Sequence, residues 1–337
     1  MVMTLDSTNS TKSSMARTEP GFDPRYLLAP IVAFVLTVWI DPSYTGGDPS
    51  LYRYVYDALA TESLSHGFFF YSVILSSTEP LYYIIIWTLS HIGVPREVFI
   101  GVSSAILALL STKILVRRGA HLLVASAVVS SSFYFILLYT TTDRLKIATI
   151  FLIASVMSAN RLRLAIAFAF LATAAHIQVA ILYLSFITIY MANQLRTAIK
   201  IGTISSNVIG TTVAVIAVVL VSYYVIGNQI ASKANSYIGL GKTEDLIRVI
   251  PFYLATLYYA KDRVNVSLLF LPIIALTPIV GYGRLNIFSY FILLYYCSEK
   301  RQGVNIPVIL STVYFGYSSY VFLARIIEFG EPLLVGQ

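Results

Sequence analysis

Residues 27–54 read LLAPIVAFVLTVWIDPSYTGGDPSLYRY. The first half is an uncharged apolar run, 27–40, that reads as the first apolar helix. The second half opens the only long hydrophilic interval in the first half of the chain. Gly46 and Gly47 free the backbone to take positive φ or to let another group approach closely. Pro49 stiffens the exit. Asp48 sits between them, beside Tyr44, Tyr52 and Tyr54. A carboxylate, a flexible turn and aromatic walls at the end of an apolar segment suit the holding of a polar substrate. The same stretch also reads as a solvated loop with tyrosine anchors at headgroup depth.

The rest of the composition belongs to the same environment. The 337 residues are 57% hydrophobic and 12% charged, with a mean hydropathy of +0.77. These values describe an integral membrane protein and exclude a soluble domain with a large core. The net charge of +7 comes from Lys and Arg scattered at helix ends. It reads as membrane orientation, and nucleic acid is not an expected partner. One cysteine, Cys297, rules out a disulfide framework and a cysteine metal site. The Ser/Thr-rich first 24 residues are expected to form a disordered cytoplasmic tail without a cleavable signal. Residues 25–328 are expected to form one polytopic membrane domain, all α-helical.

Apolar periodicity predicts helices at about 27–40, 80–94, 97–116, 120–141, 145–159, 164–175, 177–192, 203–226, 246–260, 264–280, 283–298 and 304–326. This amounts to ten to twelve crossings. Residues 66–75, HGFFFYSVIL, are too short to span and read as an interfacial or re-entrant helix. The longer polar loops are 41–79 and 227–245. The basic residues Arg117/Arg118, Arg161/Arg163, Arg196/Lys200, Lys261/Arg263 and Lys300/Arg301 read as cytoplasmic. Loop 41–79, Arg144, His176, loop 227–245 and Arg284 then fall outside. One parity conflict follows: two helices of crossing length lie between loop 41–79 and Arg117, where an odd number is required. Either 80–94 or the 66–79 region must dip without crossing, or the Arg117/Arg118 turn breaks the rule.

Ionisable residues at membrane depth are rare and point to function by default. Arg144, in TDRLKIA, lies at a helix mouth and offers a planar fork to phosphate oxygens. It reads equally as a snorkelling residue paired with Asp143. His176, in AAHIQ, sits in an apolar hairpin as a packing residue or as a group for proton transfer or phosphate contact. Arg284, in GYGRLN, starts a helix, where anions are favoured. Lys233 and Tyr237 lie in the second polar loop, and Glu79-Pro80 opens a helix with a carboxylate at its positive end. No His/Asp/Glu grouping has metal-ligand spacing, so no metal site or cofactor is expected; a Mg²⁺ held by water and Asp48 stays open.

These pieces, in order, resemble the EpsG family of polytopic proteins related to the Wzy polysaccharide polymerases. The resemblance spans about residues 40–290. It rests on Gly46-Gly47-Asp48-x-x-x-Tyr52, Glu79-Pro80-Leu81-Tyr82, Arg144-x-x-x-Ala148, Ala175-His176, Lys233-x-x-x-Tyr237 and Gly283-Arg284-Leu285. Leu145 stands where that family usually has Gln, and Ala175 where it usually has Phe. The resemblance implies a GT-C-like glycosyltransferase architecture in the bacterial cytoplasmic membrane. It implies extracytoplasmic polymerisation of undecaprenyl-pyrophosphate-linked oligosaccharide repeat units. The expected partners are that glycolipid, membrane lipid and a protein that regulates chain length. On this reading Asp48 or His176 is the base, and Arg144, Arg284, Tyr52, Glu79, Lys233 and Tyr237 bind substrate. An O-antigen ligase or another polyprenyl-linked transferase is the rival enzyme. A lipid-linked oligosaccharide flippase is the rival of another class, to be told apart by whether the ionisable residues gather at one side or line a path through midplane.

Overall fold

The structure is a computed structural model that describes residues 23–202 and 242–332, apart from the side chains of Val280, Tyr282 and Arg284. It is all-α with no strand among the described residues, as the apolar periodicity predicts. By its contacts the chain divides into two compact units: residues 1–179 with 298–337, and residues 180–297.

In the first unit, α1 (Leu28–Ile40), α5 (Arg96–Arg117), α8 (Asp143–Met157) and α9 (Leu162–Ala175) pack side by side, α1 on α5, α5 on α8 and α8 on α9. Gly101 lets α1 and α5 approach: a Cβ there would lie 2.8 Å from the Phe34 ring and 2.9 Å from Val38. The expected helix 120–141 is two helices, α6 (Leu122–Ser131) and α7 (Phe133–Thr140), bent by 59° at extended Ser132. The last helix of this unit, Ile306–Phe329, is capped by Asn305, which accepts from Val308 N at 3.3 Å. It packs Phe322 on Phe133 and Phe315 on Tyr134.

The interval 41–79, read as a loop, folds mostly into α2 (Gly47–Leu59) and α3 (Leu64–Ile74). The signal for α2 was present. Tyr52, Val55, Tyr56 and Leu59 recur at helical spacing and are all buried. Gly46 is its N-cap and Pro49 sits in its first turn, where a missing N–H costs nothing. The 66–75 stretch is helical as far as Ile74, as part of α3, with Leu75 as the C-cap.

The next helix, α4 (Pro80–His91), lies where the parity conflict arises. At about 1.5 Å per residue it is roughly 18 Å long, against a hydrocarbon core of about 30 Å. Glu79 before it pairs with Arg144, and Arg96 after it pairs with the adjacent Asp143. The chain entering α4 and the chain leaving it therefore both return to the start of α8, which favours the reading in which 80–94 dips without crossing. Tyr56 Oη donates to Val94 O at 2.7 Å and Trp87 Nε1 donates to Glu62 O at 2.9 Å, joining α2, α3 and α4 in one layer over that end of the unit.

The opposite end holds two of the basic turns that the sequence assigns to the cytoplasm, Arg117/Arg118 and Lys300/Arg301. Arg118 pairs with Glu299 at 3.1 Å, His121 N donates to Gln302 O at 2.7 Å, and Asp23 and Arg25 line a shallow pocket with His121 and Gln302.

The second unit holds α10 (Ala180–Ile201), α11 (Leu246–Tyr259), α12 (Arg263–Val280) and α13 (Tyr282–Cys297). Here α11 packs on α12 and α13, and α10 on α12. Tyr253 and Ser267 hydroxyls meet at 2.9 Å. The final helix of the chain, Ile306–Phe329, is α14.

Among the described residues, four spans are long and apolar enough to cross a membrane: Pro24–Ser43, Arg96–Arg117, Ile177–Ile201 and Arg301–Phe329. The bent α6–α7 pair makes a fifth. The protein is thus a multi-pass membrane protein, with fewer full-length spans among the described residues than the ten to twelve expected. Apolar runs that looked continuous are cut into shorter helices such as Leu64–Ile74, Leu162–Ala175, Arg263–Ile279 and Leu285–Cys297. The expected helix 203–226 and most of loop 227–245 lie outside the described residues, as does nearly all of the 1–24 tail.

A strap ties α14 to the glycine turn. Thr45 N and Gly46 N both donate to Gly330 O, at 3.1 and 3.4 Å. Gly330 has φ +71°, and a Cβ on it would collide with Thr45 Oγ1. Gly330→Ala is expected to cost at least ~1–2 kcal/mol for the left-handed backbone alone. It therefore lowers the thermal midpoint of the detergent-solubilised protein. An unchanged midpoint would mean that the strap does not hold the turn.

Candidate functional site

The site is built on the first turn of α8, Asp143-Arg144-Leu145-Lys146, whose neighbouring side chains project about 100° apart. Asp143 and Lys146 turn into the protein. Asp143 Oδ2 accepts from Arg96 Nη2 at 3.0 Å, and Asp143 Oδ1 pairs with Lys146 Nζ at 3.2 Å. Arg96 Nη1 reaches Asp41 Oδ1 at 2.5 Å, and Asp41 Oδ2 pairs with Arg53 at 3.1 Å. Lys146 also donates to Ser104 Oγ at 3.2 Å and to the Tyr139 carbonyl at 3.0 Å. Asp41, Arg96, Asp143 and Lys146 are all buried. Their charges are tolerated because each has partners of opposite sign and further hydrogen bonds. This network is a scaffold that fixes where α8 begins.

Arg144 faces the other way. Its Nη1 donates to Glu79 Oε2 at 2.8 Å and its Nε to Tyr52 Oη at 3.0 Å. The alternative in which Arg144 simply pairs with Asp143 is thereby corrected: Asp143 is committed to Arg96 and Lys146. The other oxygen of Glu79, Oε1, lies 3.0 Å from His176 Nδ1. His176 Nε2 lies 3.0 Å from Gln178 Oε1. The backbone turns extended at His176, ending α9 and swinging the ring inward. Tyr52, Arg144, Glu79, His176 and Gln178 thus form one continuous chain of polar contacts, drawn from α2, α8, the turn before α4 and the residues after α9.

Aromatic rings enclose it. Tyr52 meets Tyr82 edge-on at 6.0 Å, and Tyr82 meets Tyr71 at 6.3 Å. Tyr71 Oη contacts Ser77 Oγ at 3.0 Å, and the Glu79 amide donates to the same oxygen at 3.4 Å. Burial pushes the Tyr52 hydroxyl up to about 12, so it stays a neutral phenol. Burial also holds the His176 imidazole below its ordinary value of 6.5, although the bond to Glu79 pulls the other way. The ring is therefore mostly neutral at pH 7.

Asp48 stands apart in commitment but not in place. It is exposed in the first turn of α2 and makes no hydrogen bond or ion pair with the described residues. It lies one helical turn before Tyr52, on the same face of α2. The site therefore presents a free carboxylate near a guanidinium that has committed two of its five N–H donors. Such an arrangement can accept a proton from a hydroxyl and bind an anionic oxygen. Among the described residues no group of three or more His, Cys, Asp or Glu could hold a metal ion.

Of the residues picked out in the sequence, Tyr52, Glu79, Arg144 and His176 come together, with Asp48 one turn away. Arg284 lies at the N-terminal end of α13 in the second unit, its side chain outside the described residues. Lys233 and Tyr237 lie outside them altogether. Asp41, Arg96, Lys146 and Gln178 were missed as participants. A lysine three residues after an aspartate in an apolar helix, and an arginine just after the Gly93-Val94-Pro95 turn, were the available signals.

A family model described as the EpsG family matches residues 26–331, nearly the whole chain. No curated protein and no solved structure matches.

Proposed function

The chain belongs to the EpsG family of Wzy-like polysaccharide polymerases, and from that premise we propose a membrane glycosyltransferase that joins polyprenyl-pyrophosphate-linked repeat units on the extracytoplasmic face. The observation that carries this reading is the linked cluster Tyr52–Arg144–Glu79–His176 beside the uncommitted carboxylate of Asp48.

The division of labour follows from commitment. Asp48 is the base: its exposed carboxylate takes the proton of the acceptor hydroxyl. The acceptor oxygen forms a bond to the anomeric carbon of the donor sugar as the bond from that carbon to the pyrophosphate oxygen breaks. The electron pair leaves with the pyrophosphate, where charge develops, and the remaining N–H donors of Arg144 meet it there. Glu79 holds both Arg144 and His176, and His176 in turn fixes the position of Glu79. Tyr52, Tyr71 and Tyr82 supply an aromatic floor for sugar rings. This cluster sits at one end of its unit, remote from the Arg118–Glu299 end, which favours chemistry at one surface over transport through the middle. The positive-inside rule, applied to the basic Arg118–Glu299 end, supports the extracytoplasmic face for the cluster.

Asp48→Asn tests the assignment, because it keeps the size and removes the basicity. In cells, polymer is lost and lipid-linked single repeats accumulate, while membrane abundance stays normal. General base catalysis contributes typically 10²–10⁴-fold. Normal polymer from a normally abundant Asp48→Asn protein would return Asp48 to a loop residue. Loss of transfer to finished acceptors only would favour a ligase.

A further inference from the structure

Beneath α4, between α5 and α8, runs an apolar groove of about 310 Å³. Ile85 and Leu89 of α4 form its roof, Val98 and Val102 one wall, and Ile147 and Phe151 the other. The polar exception in its lining is Ser103, whose hydroxyl is spent on the Ile100 carbonyl at 3.0 Å. The groove offers no hydrogen bond to anything within it, so its occupant there must be hydrocarbon.

Its position says which hydrocarbon. Ile147 and Phe151 lie three and seven residues after Arg144, on the face of α8 that carries Arg144. The groove therefore starts about one turn from the guanidinium that reaches Glu79. Val98 and Val102, each 44% exposed, lie one turn apart on α5 and leave the groove open sideways. A ligand matching both features has an anionic phosphate at one end and a single apolar chain directly behind it. The methyl-rich lining suits a branched chain, and the volume suits one chain rather than two.

Resting on the reading of Arg144 above, we propose that this groove seats the phosphate-proximal isoprene units of the polyprenyl chain. The chain enters sideways from the bilayer between Val98 and Val102. Seating it there sets the pyrophosphate beside Arg144 and presents the sugar to Asp48.

The test uses the full-length protein in lipid nanodiscs and farnesyl phosphate carrying a diazirine in its first isoprene unit. Illumination is expected to label residues on α5 and α8 that line the groove, saturably, and with competition by unlabelled farnesyl phosphate. Val98→Trp and Val102→Trp fill the opening at exposed positions that fold does not depend on. Each is expected to reduce labelling roughly tenfold, ~1.4 kcal/mol. Equal, unsaturable labelling by a diazirine-tagged phosphatidylethanolamine would reduce the groove to ordinary bilayer contact and overturn the proposal. Saturable labelling confined to another surface would overturn it too. Arg144→Ala separates the two readings: groove labelling that persists at wild-type strength keeps the chain site and overturns the pyrophosphate role of Arg144.

Discussion

Glu79→Ala is expected to abolish polymer formation while leaving the protein in the membrane. One carboxylate serves two partners, Arg144 at 2.8 Å and His176 at 3.0 Å. Hydrogen bonds to charged groups are worth roughly 1.5–3 kcal/mol each. Losing both amounts to about 10²- to 10⁴-fold at 1.4 kcal/mol per decade, if they act on the transition state. The variant also leaves Arg144 half-buried without its counter-charge, so part of the loss could come from misfolding. The double variant Glu79→Ala/Arg144→Ala distinguishes the two causes. It removes the orphaned charge, so abundance recovers toward wild type while activity stays lost. Glu79→Gln keeps the shape and one acceptor oxygen, and is expected to fall between. The measurement is the length distribution of the polymer beside membrane abundance for the three proteins. Wild-type ladders from Glu79→Ala would remove this carboxylate from the site.

Arg96→Ala carries the largest expected effect on stability. Arg96 joins Asp41 at 2.5 Å and Asp143 at 3.0 Å, and all three are buried. Removing the guanidinium leaves two carboxylates facing each other in a cavity. Breaking a buried ion pair in this way costs about 3–5 kcal/mol, a large share of the 5–15 kcal/mol by which proteins are stable. Membrane abundance and the thermal midpoint are expected to fall sharply. Arg96→Lys keeps the charge but cannot span both carboxylates with one planar fork. It is expected to rescue abundance in part, and activity less, because Asp143 is then free to shift the start of α8 and with it Arg144. Normal abundance and midpoint for Arg96→Ala would show that the network is not what positions α8.

Much of this could be read along the chain. Apolar runs and their basic ends marked α1, α5, α8, α9 and α14, because lipid demands long apolar helices with internally satisfied backbones. The rarity of charge in an apolar chain marked Arg144 and His176, because burying either without a partner is costly. The Gly46-Gly47-Asp48 turn was legible as a special place, and its glycines prove to lie against Glu331 and the end of α14. The amphipathic period of α2 was legible too, but tyrosine serves headgroup depth and buried packing alike, and the stretch looked like a loop.

The sequence by itself determined that this is an all-helical, multi-pass membrane protein with a handful of ionisable residues that must be explained, because the energetics of lipid act on composition and local order alone. Only the tertiary structure decided which of them meet. The pairing of Arg144 with Glu79 spans 65 positions and that of His176 with Glu79 spans 97. The choice of Glu79 over the adjacent Asp143 was made by Arg96, which arrives from 47 positions away and occupies the nearer carboxylate. The path of the chain around α4 was settled in the same way: Glu79 before it and Arg96 after it pair with Arg144 and Asp143 and bring the chain on both sides of α4 back to the start of α8.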